Sequence, residues 1–219
     1  MSKRVAVILS GCGVQDGSEI YETTLVLLRL DQLGIGYRCF APDIEQHQTI
    51  NHLTDEPMPE ASRNVLVESA RLARGDIDSL DDLDPEDFDG VVLPGGFGVA
   101  RNLSDFAEAG SEMTVLPLLR DKILPFFEAQ KPIGMMCIAS VLVPRLLGKA
   151  IPVTVGQDAG VAGAISSMGG LHKSCGAEDV VIDREHRVIT TPAFMLTTRI
   201  SEAAKGIFKL VDKLSEMMD

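Results

Sequence analysis

The sequence has few basic residues for its length. Its 219 residues include 20 lysines and arginines against 32 aspartates and glutamates, which gives a formal net charge of -12 at pH 7. Nucleic acids and anionic membranes bind positive protein surfaces, so this deficit argues against both as partners. The chain also lacks an apolar run as long as a membrane span. We therefore expect a protein that binds neither nucleic acid nor membrane.

The start of the chain lacks the long apolar core of a signal peptide. A basic tip is followed by a short apolar run, residues 4–9, which leads directly into glycines. Signal peptides carry a longer apolar core and a small-residue cleavage site. We interpret this run as the first strand and expect a cytoplasmic protein.

Paired metal ligands and paired cysteines are missing too. The four cysteines, at positions 12, 39, 137 and 175, form no C-x-x-C pair. The four histidines, at 47, 52, 172 and 186, lack the spacing of zinc ligands. A chain of this size does not need disulfides to hold its core, so we expect reduced thiols and no metal.

What the chain does contain is an alternation of strand and helix patterns. The predicted strands are 4–9, 37–41, 90–93, a strand ending at 136, 151–155, 180–183 and 188–191, and the main predicted helices are 19–33, 62–74, 115–130 and 200–217. Alternation of this kind is typical of an α/β sandwich with a mostly parallel sheet. The length favours a single domain, 1–219, in which the acidic segment 44–89 is a folded insertion containing a helix.

The first predicted helix has a start signal, a stop signal and an acidic residue, Glu22, in its first turn. Asp16 or Ser18 can cap its beginning, and Gly34 can end it. The loop before it contains glycines at 11, 13 and 17, a spacing one residue too long for a dinucleotide-binding fingerprint, so we reject NAD binding.

A cysteine interrupts an apolar run at the point where strand spacing changes to helix spacing. A strand that ends at Met136 and a helix that begins at Ile138 would place Cys137 on a nucleophile elbow. The free N–H groups and positive dipole at the start of a helix lower a cysteine pKa, so this interpretation predicts a reactive thiolate. The alternative is a small buried hydrophobic residue, as most free cysteines are. The segment by itself leaves both open.

A glycine turn follows the buried strand at 90–93. The sequence Pro94-Gly-Gly-Phe-Gly98 stands at the carboxyl end of this strand, the edge at which open parallel sheets bind ligands. Consecutive flexible positions can turn backbone N–H groups toward an anion or an oxyanion. A tight turn without a ligand explains the same pattern, and this choice also stays open.

Together these features resemble the class I glutamine amidotransferase-like superfamily, in its PfpI branch, and more closely the ElbB family, also called the sigma cross-reacting protein 27A or ES-one-type family. The resemblance covers essentially the whole chain. The segments that carry it are residues 7–20, Ile50-Asn-His-Leu-Thr54, Arg63-Asn-Val-Leu66, Pro94-Gly-Gly-Phe-Gly98, residues 131–139 and Thr190-Thr-Pro-Ala-Phe-Met195.

The resemblance implies a flavodoxin-like three-layer sandwich with an elbow cysteine, Cys137, and an acid on the first helix. Glu22 is preferred to Glu19 as this acid, since it stands twelve residues before Gly34, the spacing of the superfamily glutamate. The backbone amides of Gly96 and Ile138 match the oxyanion donors of the superfamily. The branch further implies a homodimer. Further residues that we expect near the pocket are Gly11, Cys12, Gly95, Asn102, Glu112 and Gln157.

The chain departs from the superfamily in lacking a histidine at the expected places. Ile138 follows the cysteine directly, and Gln157 stands where a downstream histidine would be expected. A Cys-His-acid triad, and with it peptidase or glutaminase activity, is therefore doubtful. His52 or His172 could reach the site only by folding back, and a lone histidine is more often a surface or hydrogen-bonded residue.

The function that these residues favour is a cofactor-independent glyoxalase acting on a small dicarbonyl substrate. Cys137 would add to the aldehyde of methylglyoxal or glyoxal, Glu22 would move a proton between the adjacent carbons, and hydrolysis would release lactate or glycolate. The alternatives are a non-catalytic or redox-sensing stress protein, linked in the family to isoprenoid biosynthesis, and a vestigial amidotransferase-like protein. None of these needs a cofactor.

Overall fold

The computed structural model describes residues 3–218, which form a central sheet covered by helices. The strands are β1 (Arg4–Ile8), β2 (Gly36–Ala41), β3 (Ile50–Asn51), β4 (Glu56–Pro57), β5 (Ile77–Ser79), β6 (Gly90–Leu93), β7 (Ile133–Met136), β8 (Pro152–Val153), β9 (Leu171–His172), β10 (Val181–Asp183) and β11 (Val188–Thr191). The helices are α1 (Ile20–Gln32), α2 (Val65–Leu72), α3 (Phe97–Arg101), α4 (Phe106–Ala109), α5 (Pro117–Glu128), α6 (Val143–Leu146), α7 (Ala159–Ser167) and α8 (Ile200–Met217).

Seven of these strands form the main sheet, in the order β10-β11-β7-β6-β1-β2-β5. Every neighbouring pair is parallel except β10 with β11. The three central strands, β6, β7 and most of β1, are buried along their length, as expected for strands covered on both faces. The predicted mostly parallel, flavodoxin-like sheet is confirmed. Its parallel strands all end at one edge, which brings distant loops together there.

Helix α8 closes one face of the sheet. Its buried residues Ile207, Leu210 and Leu214 belong to the main core. Gly134 of β7 makes room for them, since a Cβ at this position would stand 2.8 Å from the Leu210 side chain. The ends predicted for this helix, 200 and 217, agree with the structure, because its apolar residues follow a regular helical spacing.

The cap of α1 differs from the prediction. The N-cap is Glu19, whose carboxylate accepts the N–H of Glu22 at 2.6 Å. Ser18 instead accepts the N–H of Ser10, and Asp16 accepts the N–H of Ile50. Both predicted caps were wrong, because long-range partners take these two side chains.

The acidic segment 44–89 contributes more than the predicted helix. It contains the small antiparallel pair β3 and β4, helix α2, and strand β5, which pairs with β2 at the edge of the main sheet. Strand β5 is only three residues long and half-buried, so its sequence carries little strand pattern. Within residues 3–218, no helix has both the length and the apolar character needed to cross a bilayer.

Candidate active site

The predicted elbow lies at the end of β7. Cys137 follows this strand directly and has a φ of 55°, a left-handed conformation that non-glycine residues rarely adopt. The next turn is not the predicted α-helix from Ile138, but a 3-10 segment, Cys137–Leu142, followed by α6. Pro144 has no N–H to donate to the carbonyl of Ser140, which accepts the N–H of Val143 instead.

Glu22 and the elbow residue Cys137 form a buried pair. Glu22 lies in the first turn of α1 with an exposed fraction of 0%, and its carboxyl group hydrogen-bonds the Cys137 thiol. Its Oε2 accepts the N–H of Gly95 at 2.7 Å, and its Oε1 accepts that of Phe194 at 3.4 Å. Hydrogen bonds from three distant segments, at Gly95, Cys137 and Phe194, thus hold the carboxyl group against the sulfur.

The environment of Glu22 favours its neutral form. Burial raises its pKa from an ordinary 4.5 to about 8, and the neighbouring charge of Glu19 acts in the same direction. The hydrogen bonds from Gly95, Cys137 and Phe194 oppose this shift. At neutral pH the neutral form therefore predominates and can donate a hydrogen bond to the sulfur, while the ionised form that is also present can take the proton of the thiol.

The predicted low pKa of Cys137 is wrong. Burial raises the pKa of this thiol well above its usual value, and the charge of Glu22 raises it further. The backbone N–H groups of Ile138 and Gly96 bond to the sulfur and act in the opposite direction. Only 8% of the residue is exposed, and a 3-10 turn replaces the helix predicted from Ile138, on whose dipole the expected effect depended. A thiolate can form here by passing its proton to Glu22, with the two amides stabilising the anion.

The glycine turn after β6 is built for close contact with this pair. A Cβ on Gly95 would lie 2.5 Å from the Cys137 Cβ and 2.9 Å from Oε2 of Glu22. Gly96 has a φ of 99°, and a Cβ there would lie 2.3 Å from the carbonyl oxygen of Gly17. Both positions require glycine, and the resulting turn is what brings the Gly96 N–H to the sulfur.

A cavity of about 450 Å³ opens in front of Cys137. Gly96 and Ile138 line it beside the cysteine, and Glu22 does not. Its walls are mostly apolar and include three charged side chains; the remaining lining residues are Val14, Glu19, Phe97, Ala100, Arg101, Phe106, Ala107, Asp158, Val161, Phe194 and Met195. Such a cavity is within the usual size range of small-molecule sites.

All six further residues that were expected near the pocket lie outside its lining. Asn102 holds loops together, since its amide donates to the carbonyls of Ser10 and Asp16 and its Oδ1 accepts the N–H of His47. Gly11 donates to the hydroxyl of Ser69. Gly95 reaches the site only through its N–H to Glu22. The other three residues are also absent from the lining; Cys12 is half-buried, and Glu112 and Gln157 are exposed.

None of the four histidines, all within residues 3–218, lines this cavity. His52 lies between β3 and β4, and its Nε2 accepts the N–H of Gln15 at 3.2 Å. His172 is half-buried in β9, and burial lowers its pKa. Neither histidine joins Cys137, so the site contains no Cys-His-acid triad. Within the described residues, no group of three or more histidine, cysteine and acidic side chains is arranged to hold a metal ion.

Sequence reasoning missed several residues of the cavity wall. Arg101 donates to the carbonyl of Gln15, and its guanidinium lies 5.5 Å from the centre of the Phe97 ring. Asp158 caps α7 by accepting the N–H of Val161. A signal existed for Phe194, which belongs to a segment that carried the family resemblance. No comparable signal marked Arg101 or Asp158.

Comparison with known proteins agrees with this architecture. No protein-family model matches the chain. The ES1 protein homolog, mitochondrial, of Rattus norvegicus is 41% identical over 223 residues, covering 98% of this chain and 84% of that protein. The glutamine amidotransferase-like class 1 domain-containing protein 3, mitochondrial, of Homo sapiens is also 41% identical over 223 residues, covering 98% of this chain and 83% of its own length.

Solved structures give the same result. An isoprenoid biosynthesis protein with amidotransferase-like domain from Ehrlichia chaffeensis superposes with a TM-score of 0.93 at 36% identity, over 100% of both chains. A ThiJ/PfpI domain protein from Brachyspira murdochii shares only the fold, with a TM-score of 0.58 at 13% identity over 98% of both chains. With these relatives and the elbow site in agreement, the chain belongs to the ES1, or ElbB-type, family of class I glutamine amidotransferase-like proteins.

Proposed function

We propose that this protein is a cofactor-independent glyoxalase that converts methylglyoxal or glyoxal to lactate or glycolate. The observation that carries the proposal is the buried Cys137–Glu22 contact beside a cavity that no imidazole lines. A thiol and an acid that can exchange one proton are the minimum needed to add sulfur to an aldehyde and to protonate the oxygen that forms.

The reaction begins from the ionised form of Glu22, which takes the proton of the Cys137 thiol. The sulfur then adds to the aldehyde carbon, and Glu22 returns the proton to the oxygen, which gives a hemithioacetal. Transfer of a proton from this carbon to the adjacent carbonyl carbon gives a thioester through an enediol. Water hydrolyses the thioester, and the hydroxy acid leaves. The amides of Gly96 and Ile138, which bond to the resting sulfur, stabilise its anionic form.

The absence of an imidazole from the cavity lining favours aldehydes over amides. Amide cleavage requires a group that protonates a leaving amine, a role that histidine performs in hydrolase triads. Addition to an aldehyde releases no such group. The site therefore has the parts that carbonyl addition needs and lacks the usual acid of amide cleavage.

The test is lactate formation from methylglyoxal, followed by NMR. We expect Cys137→Ala to abolish lactate formation, and Glu22→Gln to lose turnover by about 100-fold or more, because an amide cannot take the proton of the Cys137 thiol. Cys12→Ala is the matched control, since this half-buried thiol lies outside the cavity lining and its loss leaves turnover unchanged. Lactate output at the wild-type rate from Cys137→Ala or Glu22→Gln would refute the proposal.

A redox-responsive role is the second candidate. The two backbone N–H groups that bond to the Cys137 sulfur would also hold the oxygens of a sulfinic acid. Selective oxidation of Cys137 by mild peroxide, with no lactate formed from methylglyoxal, would favour this role. The Ehrlichia chaffeensis relative is described as an isoprenoid biosynthesis protein. For this chain a connection with isoprenoid biosynthesis is a proposal, as the redox-responsive role is. Cytoplasmic location and a homodimer also remain proposals.

A further inference from the structure

The two carboxyl groups beside the elbow differ in their access to the cavity. Glu22 is fully buried and is absent from the cavity lining, whereas Glu19 lines the cavity together with Cys137. A general base must come within hydrogen-bond distance of the proton that it removes. Glu22 contacts the sulfur, which places it close to an oxygen formed there, but it has no surface on the cavity. Glu19 faces the space in which the substrate carbons would lie.

We propose that Glu19 is the catalytic base that moves the proton between the two substrate carbons, a role that the sequence had assigned to Glu22. This inference rests on the proposed glyoxalase function. The C–H bond of the hemithioacetal carbon breaks, Glu19 carries the proton, and a C–H bond forms at the adjacent carbon. The first carbon is oxidised to a thioester and the second is reduced to an alcohol, so the step needs no external oxidant or reductant.

The surroundings of Glu19 suit a base. Its carboxylate accepts the backbone N–H groups of Glu22, at 2.6 Å, and of Tyr21, and both bonds favour the ionised form. Burial raises its pKa, and these two donors act against that shift. Arg101 and Asp158 are the other charged residues of the cavity wall.

The two carboxyl groups therefore have different protonation states available. Glu22, with a pKa of about 8, can both take up and donate a proton near neutral pH, and the charge of Glu19 is one cause of this raised pKa. Two neighbouring acids in unlike environments are a common way to divide acid and base roles. In this division Glu22 handles the protons of sulfur and oxygen, and Glu19 handles the proton of carbon.

The decisive variant is Glu19→Gln, because its amide oxygen can still accept the N–H of Glu22 and so preserve the cap of α1. We expect lactate output to fall about 100-fold or more, while the Cys137 hemithioacetal still forms and can be detected by NMR with isotopically labelled methylglyoxal. Glu19→Asp, which keeps the charge, should restore part of the output. Glu68→Gln is the control, since this buried acid lies outside the cavity lining and should leave the output unchanged.

Two further readouts separate a catalytic role from the capping role. With methylglyoxal deuterated at the aldehyde carbon, the residual turnover of Glu19→Gln should show a primary isotope effect, since C–H cleavage becomes the slow step. In Glu19→Gln the pH profile of Cys137 alkylation by iodoacetamide should shift to lower pH. The charge of Glu19 raises the pKa of Glu22, so without this charge Glu22 can take the thiol proton at a lower pH.

The outcomes distinguish this inference from the proposed function. If the wild-type protein forms lactate and Glu19→Gln forms it equally fast, Glu19 is only a helix cap and this assignment fails alone. If the wild-type protein forms no lactate from methylglyoxal or glycolate from glyoxal, the proposed function fails and the assignment fails with it.

Discussion

Two thiols follow strands at the same edge of the sheet, yet their surroundings differ. Cys137 comes directly after β7, lines the cavity and contacts the carboxyl group of Glu22. Cys12 comes shortly after β1 and lies outside the cavity lining, where the charges that act on it include those of Glu68 and Arg71. Burial is the largest cause of a raised pKa for both thiols.

The sheet edge alone therefore does not make a cysteine chemically useful. Burial raises the pKa of both thiols, but only Cys137 has a carboxyl group that can take its proton and two N–H groups bonded to its sulfur. For Cys12 the nearby negative and positive charges act in opposite directions, since Glu68 raises its pKa and Arg71 lowers it. A difference in neighbours separates the buried Cys137–Glu22 pair from the loop thiol Cys12.

The largest expected effect comes from placing a methyl group against the buried Cys137–Glu22 pair. In Gly95→Ala the new Cβ would stand 2.5 Å from the Cys137 Cβ, and neither the strand end nor the elbow can move away cheaply. We expect a loss of about 3 kcal/mol or more in the free energy of unfolding, together with loss of lactate formation. Urea denaturation and the turnover assay measure both.

Gly163→Ala is the matched control for this substitution. Gly163 lies in α7, and a methyl group added there would meet no atom within 4 Å, so alanine should be neutral or should stabilise by about 0.5–1 kcal/mol. A Gly95→Ala protein with the stability and turnover of the wild type would mean that the pair is not as tightly enclosed as the structure has it.

The next effect is a pH-dependent gain in stability from Glu22→Gln. Because the folded-state pKa of Glu22 is about 8 against 4.5 ordinarily, the unfolded chain releases this proton first as pH rises. The contribution of Glu22 to stability is thus fully present below pH 4.5 and is lost between pH 4.5 and about 8. A neutral amide avoids that loss, on the order of a few kcal/mol at pH 8.

Thermal unfolding of the two proteins at pH 5 and at pH 8 measures this effect. The unfolding midpoint of Glu22→Gln minus that of the wild type should be larger at pH 8 than at pH 5. Any cost of changing the hydrogen bonds is the same at both pH values and cancels in this comparison. An equal difference at both pH values would contradict the raised pKa of Glu22, and so would a difference that shrinks toward pH 8.

The smallest effect concerns the other thiol. Removing the charge of Glu68 in Glu68→Gln should lower the pKa of Cys12, and removing that of Arg71 in Arg71→Gln should raise it. Because Cys12 is half-exposed, solvent screens both charges and we expect shifts of less than about one pH unit. Alkylation of the Cys12 peptide against pH, followed by mass spectrometry, measures them; a shift of the Cys137 profile in either variant would show that the two thiols are coupled.

Much of the framework could be predicted from local pattern. The hairpin of β10 and β11 and the closing helix α8 follow from alternation and helical periodicity, which need no knowledge of distant residues. The elbow at Cys137 was visible because an apolar strand ends directly at the cysteine. Strand β5 was missed, since three half-buried residues carry too little pattern.

The electrostatics of the site could not be predicted in this way. The expected low pKa of Cys137 depended on the free N–H groups and dipole of a helix that begins at Ile138, whereas the chain forms a 3-10 turn and encloses the thiol beside an acid. The cavity wall was equally hidden, since Glu19, Arg101 and Asp158 come from three separate segments. Spacing along the chain says nothing about which of these side chains share one space.

Local sequence specified the alternation of strands and helices, the turn that holds Cys137 and the glycines that the turn after β6 requires, because these depend on residues close together in the chain. That Glu22 is fully buried against the sulfur while Glu19 lines the cavity follows from the tertiary fold alone. Burial and the distance to other charges set the protonation of both acids, and these quantities arise only when the chain has folded.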